Sequence, residues 1–403
     1  MKFDKENVIL VPHGDQVYVY NRKKSVGIVL HKDIVDIFQD LENPEDIYTV
    51  ASNYEMDDRS FLMDIGRLVL EKQLFDFSDT PSAEKLNKIT YIITDYCNLA
   101  CRHCAHSALF QSPEQIQRMP IVADLNIVAA MIKLKPRTIC ITGGEPLVVS
   151  NFEEISRYLR KNFDGNISLS TNATLINDTN IDYLCSCFDH FDISIDGINE
   201  EKCAAIRGKG VFEKVIAAIK KLQHKGVKKI TLSVALSNET YSDKEAFEEM
   251  CRSLSVRPII RFMNLSGRAK ANGMTGSDEW LSFERDYSPF PFVCTGGVNQ
   301  VTVNSIGDVF PCNNFLEDEF KIGNLFEDDL PSRFTRSSNN SWWRNFSKYI
   351  PFYREECSKC DMGLFCSFCP VLIKTYMDNN SLTKLSLNCD SKKNKFYGEI
   401  FDA

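Results

Sequence analysis

The chain has 403 residues, a formal charge of −8, 43% hydrophobic and 25% charged residues. That length exceeds one average core, so two or three domains are expected, and the composition excludes a fibre or a disordered chain. No run approaches the roughly 18 uninterrupted apolar residues of a membrane span, and Met1-Lys2-Phe3-Asp4-Lys5-Glu6 lacks the apolar stretch of a signal peptide. A cytoplasmic protein with no membrane partner is expected. In that reducing compartment fifteen cysteines point to metal or redox chemistry and away from disulfides.

In chain order, three short β-like runs come first, Val8–Val11, Gln16–Tyr20 and Val26–Leu30. Helical patterns follow at Lys32–Leu41, Asp46–Tyr54 and Arg59–Lys72, the last placing Phe61, Ile65, Leu68 and Val69 on one face. This β-β-β-α-α-α order predicts a small winged-helix-like unit over residues 1–80, with Ser78-Asp79-Thr80-Pro81-Ser82 as its exit linker. These 80 residues hold nine Lys/Arg and sixteen Asp/Glu, so seven of the eight net negative charges sit here. Such a surface disfavours nucleic acid and suits a basic or neutral peptide.

From Lys88 the pattern becomes strand, loop, helix, repeated. Strands are predicted at Ile89–Thr94, Thr138–Thr142, Ile167–Thr171, Phe191–Ile195, Ile230–Ala235 and Ile259–Met263, with helices at Ala123–Lys133, Phe152–Asn162, Asp178–Cys187, Val211–Lys225 and Lys244–Leu254. The alternation predicts a parallel sheet covered by helices, and six strands fit a barrel left incomplete. Function in such folds sits at the carboxyl ends of strands, and Cys97, Gly143, Asn172 and Asp196 all follow predicted strand ends. After Ser266-Gly267-Arg268 the periodicity fades and cysteine and aromatic residues become dense, so a tail held together by metal is expected.

Two motifs carry the chemistry. Cys97, Cys101 and Cys104 are separated by three and then two residues, in Cys97-Asn98-Leu99-Ala100-Cys101-Arg102-His103-Cys104. Three thiolates from one loop hold an iron–sulfur cluster and leave one iron open to an outside ligand. Zinc, with His103 or His106 as a fourth ligand, is the competing metal. The second motif is Thr142-Gly143-Gly144-Glu145-Pro146 at the next strand end. Its paired glycines let backbone approach a ligand closely, and its carboxylate suits a cationic amino group.

In this order the two motifs resemble the signature of the radical S-adenosylmethionine superfamily, over roughly residues 88–265. The resemblance implies a partial (β/α)6 TIM-like barrel and a [4Fe–4S] cluster whose open iron chelates S-adenosylmethionine. It also implies reductive cleavage of that cofactor to a hydrogen-abstracting 5′-deoxyadenosyl radical, with electrons from a donor such as flavodoxin or ferredoxin. Residue by residue, Gly143, Gly144 and Glu145 match the segment that holds the methionine amino group. Asn172 and Ser194 match cofactor-contacting positions, and Arg207 resembles an arginine paired with the cofactor carboxylate. His103 stands where an aromatic residue that packs on the adenine is commoner.

The later cysteines, Cys294, Cys312, Cys357, Cys360, Cys366, Cys369 and Cys389, resemble the SPASM extension of peptide-modifying radical enzymes. The gap before Cys369 holds two residues, Ser367 and Phe368, where that pattern has three. The resemblance implies two auxiliary clusters, one on Cys357, Cys360, Cys366 and Cys389 and the other on Cys294, Cys312 and Cys369. One or two zinc sites are the alternative for this tail. Cys140, Cys185, Cys187, Cys203 and Cys251 lie in predicted regular structure or loop and read as buried apolar residues. The N-terminal element order resembles the leader-binding domain similar to the small chaperone of pyrroloquinoline quinone synthesis, with the Val26–Leu30 edge accepting an extended peptide and Arg59–Lys72 closing the groove.

The expected organisation is therefore a peptide-recognition domain over 1–80, a partial barrel over 81–265 and an auxiliary-cluster domain over 266–403. The expected activity is maturation of a ribosomally made precursor peptide by a thioether or carbon–carbon crosslink, with auxiliary clusters accepting an electron. Oxidation of one protein residue, as in sulfatase maturation, and a non-catalytic iron–sulfur or zinc scaffold for peptide delivery are the alternatives. No motif singles out a general base.

Overall fold

The computed structural model describes residues 8–21, 26–40, 56–71, 86–110, 121–275, 294–357 and, in part, 360–401. The expected helix Asp46–Tyr54 and the linker Ser78–Ser82 lie outside the described residues.

Strands β1 (Val8–His13), β2 (Gln16–Asn21) and β3 (Val26–His31) form an antiparallel sheet in that order, followed by helices α1 (Lys32–Asp40) and α2 (Met56–Glu71). The alternation Val17-Tyr18-Val19-Tyr20 divides β2 between two cores. Val17 and Val19 pack with Ile34, Val35, Leu62 and Val69, while Tyr18 and Tyr20 pack with Val11 and Phe396 near the other end of the chain. Gly27 is required here, since a Cβ would lie 2.2 Å from the Tyr18 hydroxyl. The buried stripe of α2 keeps Ile65 and Val69 of the expected face but takes Leu62 in place of Phe61, which is 56% exposed.

The second unit is a nine-stranded sheet. Its parallel part is β4 (Lys88–Ile92), then β7 (Thr138–Thr142), β8 (Asn166–Thr171), β9 (His190–Ser194), β10 (Ile230–Leu236) and β11 (Arg257–Phe262), with neighbours paired in chain order. A two-stranded ladder, β5 (Tyr96–Cys97) with β6 (Leu109–Phe110), lies between β4 and α3 (Ile121–Lys133). Further helices are α4 (Phe152–Asn162), α5 (Ile181–Cys187), α6 (Glu200–Arg207), α7 (Val211–His224), α8 (Lys244–Ser253) and the short α9 (Gly267–Ala271).

The strands alternate apolar and polar residues because the sheet has two unlike faces. Ile139, Ile141, Ile167, Leu169, Phe191 and Ile193 point to the helices and are almost wholly buried among residues such as Val128, Leu159, Val215 and Phe247. The intervening Thr142, Ser170 and Ser194 line a cavity at the carboxyl end of the strands, and Thr138, Ser168 and His190 line another at the opposite end. Cys140, Cys187, Cys203 and Cys251 are buried and Cys185 is partly buried, as expected of apolar cysteines.

Beyond the barrel the structure departs from expectation. Residues 300–324 carry regular structure: β12 (Gln300–Val303) pairs parallel with β4, Val301 opposite Ile89, and β13 (Asp308–Phe310) and β14 (Gly323–Asn324) extend the sheet antiparallel. The strands are so short that their sequence shows no periodicity. Nor is metal the only cohesive element in this region. Phe315 meets Phe320 and Phe346 edge-on, each at 4.9 Å between centroids, and with Trp342 of α10 (Ser341–Phe346) these rings are at most 2% exposed. The last helix described in full is α11 (Pro370–Asp378).

This aromatic core predicts that α10 amides stay protected from hydrogen exchange after iron is chelated, and that Phe315→Ala destabilises the protein by about 3–5 kcal/mol. Rapid exchange at Ser341–Phe346 in the metal-free protein would show that metal, not ring packing, holds the region.

Candidate active site

The cysteine loop begins where β5 ends, and the pairing of Tyr96 with Leu109 and Cys97 with Phe110 closes its base. Two neighbouring segments grip it. On one side, Gly144 N–H donates to Thr94 O at 2.7 Å and Glu145 N–H to Tyr96 O at 2.9 Å. The glycines are demanded by this approach, because a Cβ on Gly143 would meet Thr94 O at 2.6 Å and one on Gly144 would meet Tyr96 O at 2.2 Å. On the other side, Arg268 N–H donates to Cys104 O, its Nε to Cys101 O and its Nη1 to Ala108 O, at 2.9, 2.9 and 2.6 Å. Gly267, at φ +55°, sits where a Cβ would be 2.3 Å from Ala105 O.

Nine of the expected site residues line one cavity of about 530 Å³: Cys97, Cys101, His103, Cys104, Gly143, Gly144, Asn172, Ser194 and Arg207. Glu145 is the exception. Its carboxylate is fully buried and absent from that lining, accepting from Leu147 N–H at 3.0 Å, the Thr171 hydroxyl at 2.7 Å and Asn172 N–H at 2.7 Å. Burial pushes the carboxyl upward and these three donors oppose the shift. In this structure the Glu145 carboxyl is hydrogen-bonded to the end of β8, and the backbone edge Thr142–Gly144 faces the cavity.

That fixing holds strain. Ala173, a non-glycine residue, is in the left-handed region at φ +58°, with its N–H donating to Thr171 Oγ1 at 2.9 Å. The turn aims Asn172 at the cysteine loop, where Nδ2 donates to Asn98 Oδ1 at 2.9 Å and lies 3.8 Å from Cys97 Sγ. Sulfur Sγ of Cys97 also accepts from Leu99 N–H, and that of Cys104 from Ala108 N–H, each at 3.4 Å.

Arg207 and His103 converge on Asp196, which motif reading marked only as a strand-end residue. Its Oδ2 accepts from Arg207 Nε at 2.5 Å and lies 3.0 Å from His103 Nε2, while Oδ1 accepts from Ala235 N–H. Burial works to raise the Asp196 carboxyl, but Arg207 and then His103 outweigh it and hold the group well below the ordinary carboxylate range. The expected partner of Arg207 was a cofactor carboxylate; in this structure its Nε is committed to Asp196, although the side chain still lines the cavity.

The residues fit a metal cluster and a polar cofactor. Burial pushes the Cys97 thiol up to about 12 and the Cys101 thiol upward too, so these groups shed their protons only to a metal. Nδ1 of His103 is buried beside the cavity with no partner, an acceptor or donor left for a ligand.

The auxiliary cysteines fall into the expected groups in part. Cys294, Cys312 and Cys369 lie close enough that charge on Cys369 disfavours ionisation of the other two. Their sulfurs meet backbone donors, Gly296 for Cys294 and Asn314 and Phe315 for Cys312. In the other group Cys360 N–H donates to Cys357 O at 3.0 Å, Cys360 packs near Tyr18 and Phe396, Cys366 packs near Phe368, and Cys389 is partly buried. Sequence reasoning missed Asn313 and Asn314, which follow Cys312 and line the main cavity, with Asn314 Oδ1 accepting from Asn264 at 3.2 Å.

Breaking a buried ion pair leaves an uncompensated charge, so Asp196→Asn is expected to destabilise the protein by about 3–5 kcal/mol at neutral pH. Because the folded carboxyl titrates below its unfolded value, the stabilisation is complete above about pH 4 and fades as pH falls further. Denaturant titrations across pH check this, and equal acid sensitivity of the variant and the parent would contradict it. Gly267→Ala is expected to reduce the iron retained after reconstitution, measured by iron and sulfide content.

Residues 91–251 match the Radical SAM superfamily and residues 294–361 match the iron–sulfur cluster-binding domain SPASM. The chain is similar to mycofactocin maturase MftC of Mycolicibacterium smegmatis, 24% identical over 269 residues that cover 60% of this chain and 67% of that protein. It is similar also to the antilisterial bacteriocin subtilosin biosynthesis protein AlbA of Bacillus subtilis, 25% identical over 305 residues that cover 70% and 66%. These matches span about two thirds of the relatives' length. Among solved structures, Streptococcus suis SuiB bound to S-adenosylmethionine superposes over 91% of this chain and 95% of its own with a TM-score of 0.55 at 14% identity, a likeness of fold. SuiB bound to its precursor peptide SuiA gives 0.54 at 13% identity, over 92% and 96%. With the cysteine loop inside the first matched region and Cys294 and Cys312 inside the second, the chain carries a radical S-adenosylmethionine domain and a SPASM iron–sulfur domain.

Proposed function

We infer that this protein is a peptide maturase that removes a hydrogen from a ribosomally made precursor peptide and closes a thioether or carbon–carbon crosslink. One observation carries the reading: a single cavity is lined by Cys97, Cys101 and Cys104 on the barrel side and by Asn313 and Asn314, next in sequence to Cys312, on the other. The two solved SuiB complexes, one with S-adenosylmethionine and one with a precursor peptide, and the relatives named as a maturase and a bacteriocin biosynthesis protein support it.

Bound together, an iron–sulfur cluster and S-adenosylmethionine supply reductive cleavage of the cofactor and a hydrogen-abstracting 5′-deoxyadenosyl radical. Cys97, Cys101 and Cys104 would hold the cluster, and the Thr142–Gly144 backbone edge, His103, Asn172, Ser194 and Arg207 would surround the cofactor. Crosslinking a peptide C–H carbon is a two-electron oxidation: a hydrogen atom leaves first, and a second electron and a proton must follow. Cys312, next in sequence to the cavity-lining Asn313, would hold with Cys294 and Cys369 the acceptor of that electron, and Cys357, Cys360, Cys366 and Cys389 would hold a further cluster.

The N-terminal unit is assigned to the precursor's leader. Its outer strand β3 offers an edge for strand addition, Phe61 offers exposed apolar surface on α2, and its acidic surface suits a basic or neutral peptide. The reaction is placed in the cytoplasm, with flavodoxin or ferredoxin as reductant and no nucleic-acid or membrane partner. Among the described residues no helix is long and apolar enough to cross a membrane.

Anaerobically reconstituted protein should contain about twelve iron atoms per chain and release 5′-deoxyadenosine on reduction with S-adenosylmethionine present. Cys97→Ala should abolish that release, whereas Cys312→Ala should retain it and lose crosslinked product. A fully loaded, reduced protein that leaves S-adenosylmethionine intact would overturn the enzyme assignment. Phe61→Asp is expected to weaken precursor binding about tenfold without changing release of 5′-deoxyadenosine in the absence of peptide.

A further inference from the structure

Beside the thiols of Cys294, Cys312 and Cys369 lies a cation without an anion. Arg336 donates from Nη2 to Cys294 O at 3.4 Å, while its Nε is buried with no hydrogen-bond partner. Among the described residues no carboxylate pairs with it. Nearby Arg333 shows the ordinary arrangement, with Asp329 and Glu327 as partners. A partly buried guanidinium with an orphaned N–H costs free energy unless something negative comes within reach. Three partly buried thiols carry the complementary fault, since ionising them together in one place requires positive charge. Both faults disappear when an anionic iron–sulfur centre occupies the site.

We propose that Arg336 is the built-in counter-cation of the centre held by Cys294, Cys312 and Cys369, donating its Nε–H to a sulfur of that centre and raising its reduction potential. The proposal rests on the assignment of those three cysteines as ligands. Its logic is electrostatic: reduction adds a negative charge, so a fixed cation at hydrogen-bond distance stabilises the reduced form more than the oxidised one. Three thiolates in place of four already give the centre one negative charge fewer, and Arg336 moves it further in the same direction. Of the two auxiliary centres this one is built to accept the electron left by crosslink closure, and it is the one adjacent to Asn313 and Asn314 of the main cavity. Arg336 acts through the centre and is a positioning residue.

The test is a redox titration followed by electron paramagnetic resonance on reconstituted full-length protein. Arg336→Gln is expected to lower the ratio of reduced to oxidised centre at a fixed potential about tenfold, which for one electron is about 59 mV, with the other two centres unchanged. Arg336→Lys keeps the charge and should recover most of the shift. A glutamine variant that titrates like the parent would refute the proposal, as would a lysine variant as impaired as the glutamine one, because the guanidinium would then be only an anchor for the Cys294 carbonyl. If Arg336→Gln fails to assemble the centre, the same comparison of assembly in Arg336→Lys decides: recovery supports a charge role and equal loss rejects it. Cys312→Ala separates the underlying assignment. If that variant keeps every resonance and all its iron, the ligand set is wrong, whereas loss of one centre there together with an unshifted Arg336→Gln would leave the ligands standing and remove only the counter-cation.

Discussion

Everything at the top of the barrel hangs on a carboxylate that never meets solvent. Glu145 is wholly buried, and its oxygens accept three protein hydrogen bonds, two from backbone N–H groups and one from Thr171. Burying a carboxyl group this way is costly unless donors are aimed at it, so the donors cannot drift without exposing the cost. The end of β8 is thereby locked, Ala173 is kept left-handed, and Asn172 is presented to Asn98 and Cys97. A buried carboxyl group thus specifies the position of the cysteine loop, which begins 48 residues earlier in the chain.

Asp196 solves the same problem in another way. Both carboxyl groups follow barrel strands, but Asp196 is compensated by the Arg207 guanidinium, with His103 Nε2 also at 3.0 Å, while Glu145 is compensated by neutral donors. The difference suits their places. Neutral donors fix backbone, as the turn at Asn172 requires; an ion pair with Arg207 and a contact with His103 keep polar side chains at the cavity wall, where both stand. Because Asp196 takes up Arg207 Nε and His103 Nε2, it also decides which atoms of those side chains are left over, among them the unpartnered Nδ1 of His103.

The cysteine loop and the Gly143–Glu145 segment were legible because a cluster needs thiolates at fixed spacing and because close backbone approach admits only glycine. The six parallel strands were legible through their alternation with helices, which reports a local period. What stayed hidden depends on distance along the chain. Arg268 and Gly267 clamp the loop from 160 or more residues away, and nothing in Ser266-Gly267-Arg268 itself announces that partner. β12 has only four residues, too few to show a period, so its pairing with β4 emerges only from the fold. Phe61 misled for a related reason: it falls on the expected helical face but one position from Leu62, which takes the core place.

The run from Cys312 to Asn314 joins the two chemical regions. Asn314 N–H bonds the sulfur of Cys312, while its side-chain oxygen accepts from Asn264 just beyond β11 and its surface faces the cavity. Under the proposed function, a peptide settling in that cavity would press on a residue whose own backbone touches the Cys312 sulfur. The sheet makes the connection stiff, because β12 and β13, just ahead of Cys312, are hydrogen-bonded into the same array as β4, which leads to Cys97. Loose tethering would let the distance between a radical and its electron acceptor wander; continuous strands hold it constant. Sharing one sheet between the barrel and the SPASM region is thus a device for keeping two redox sites in register, and it explains why the second region starts with strands that complete the first.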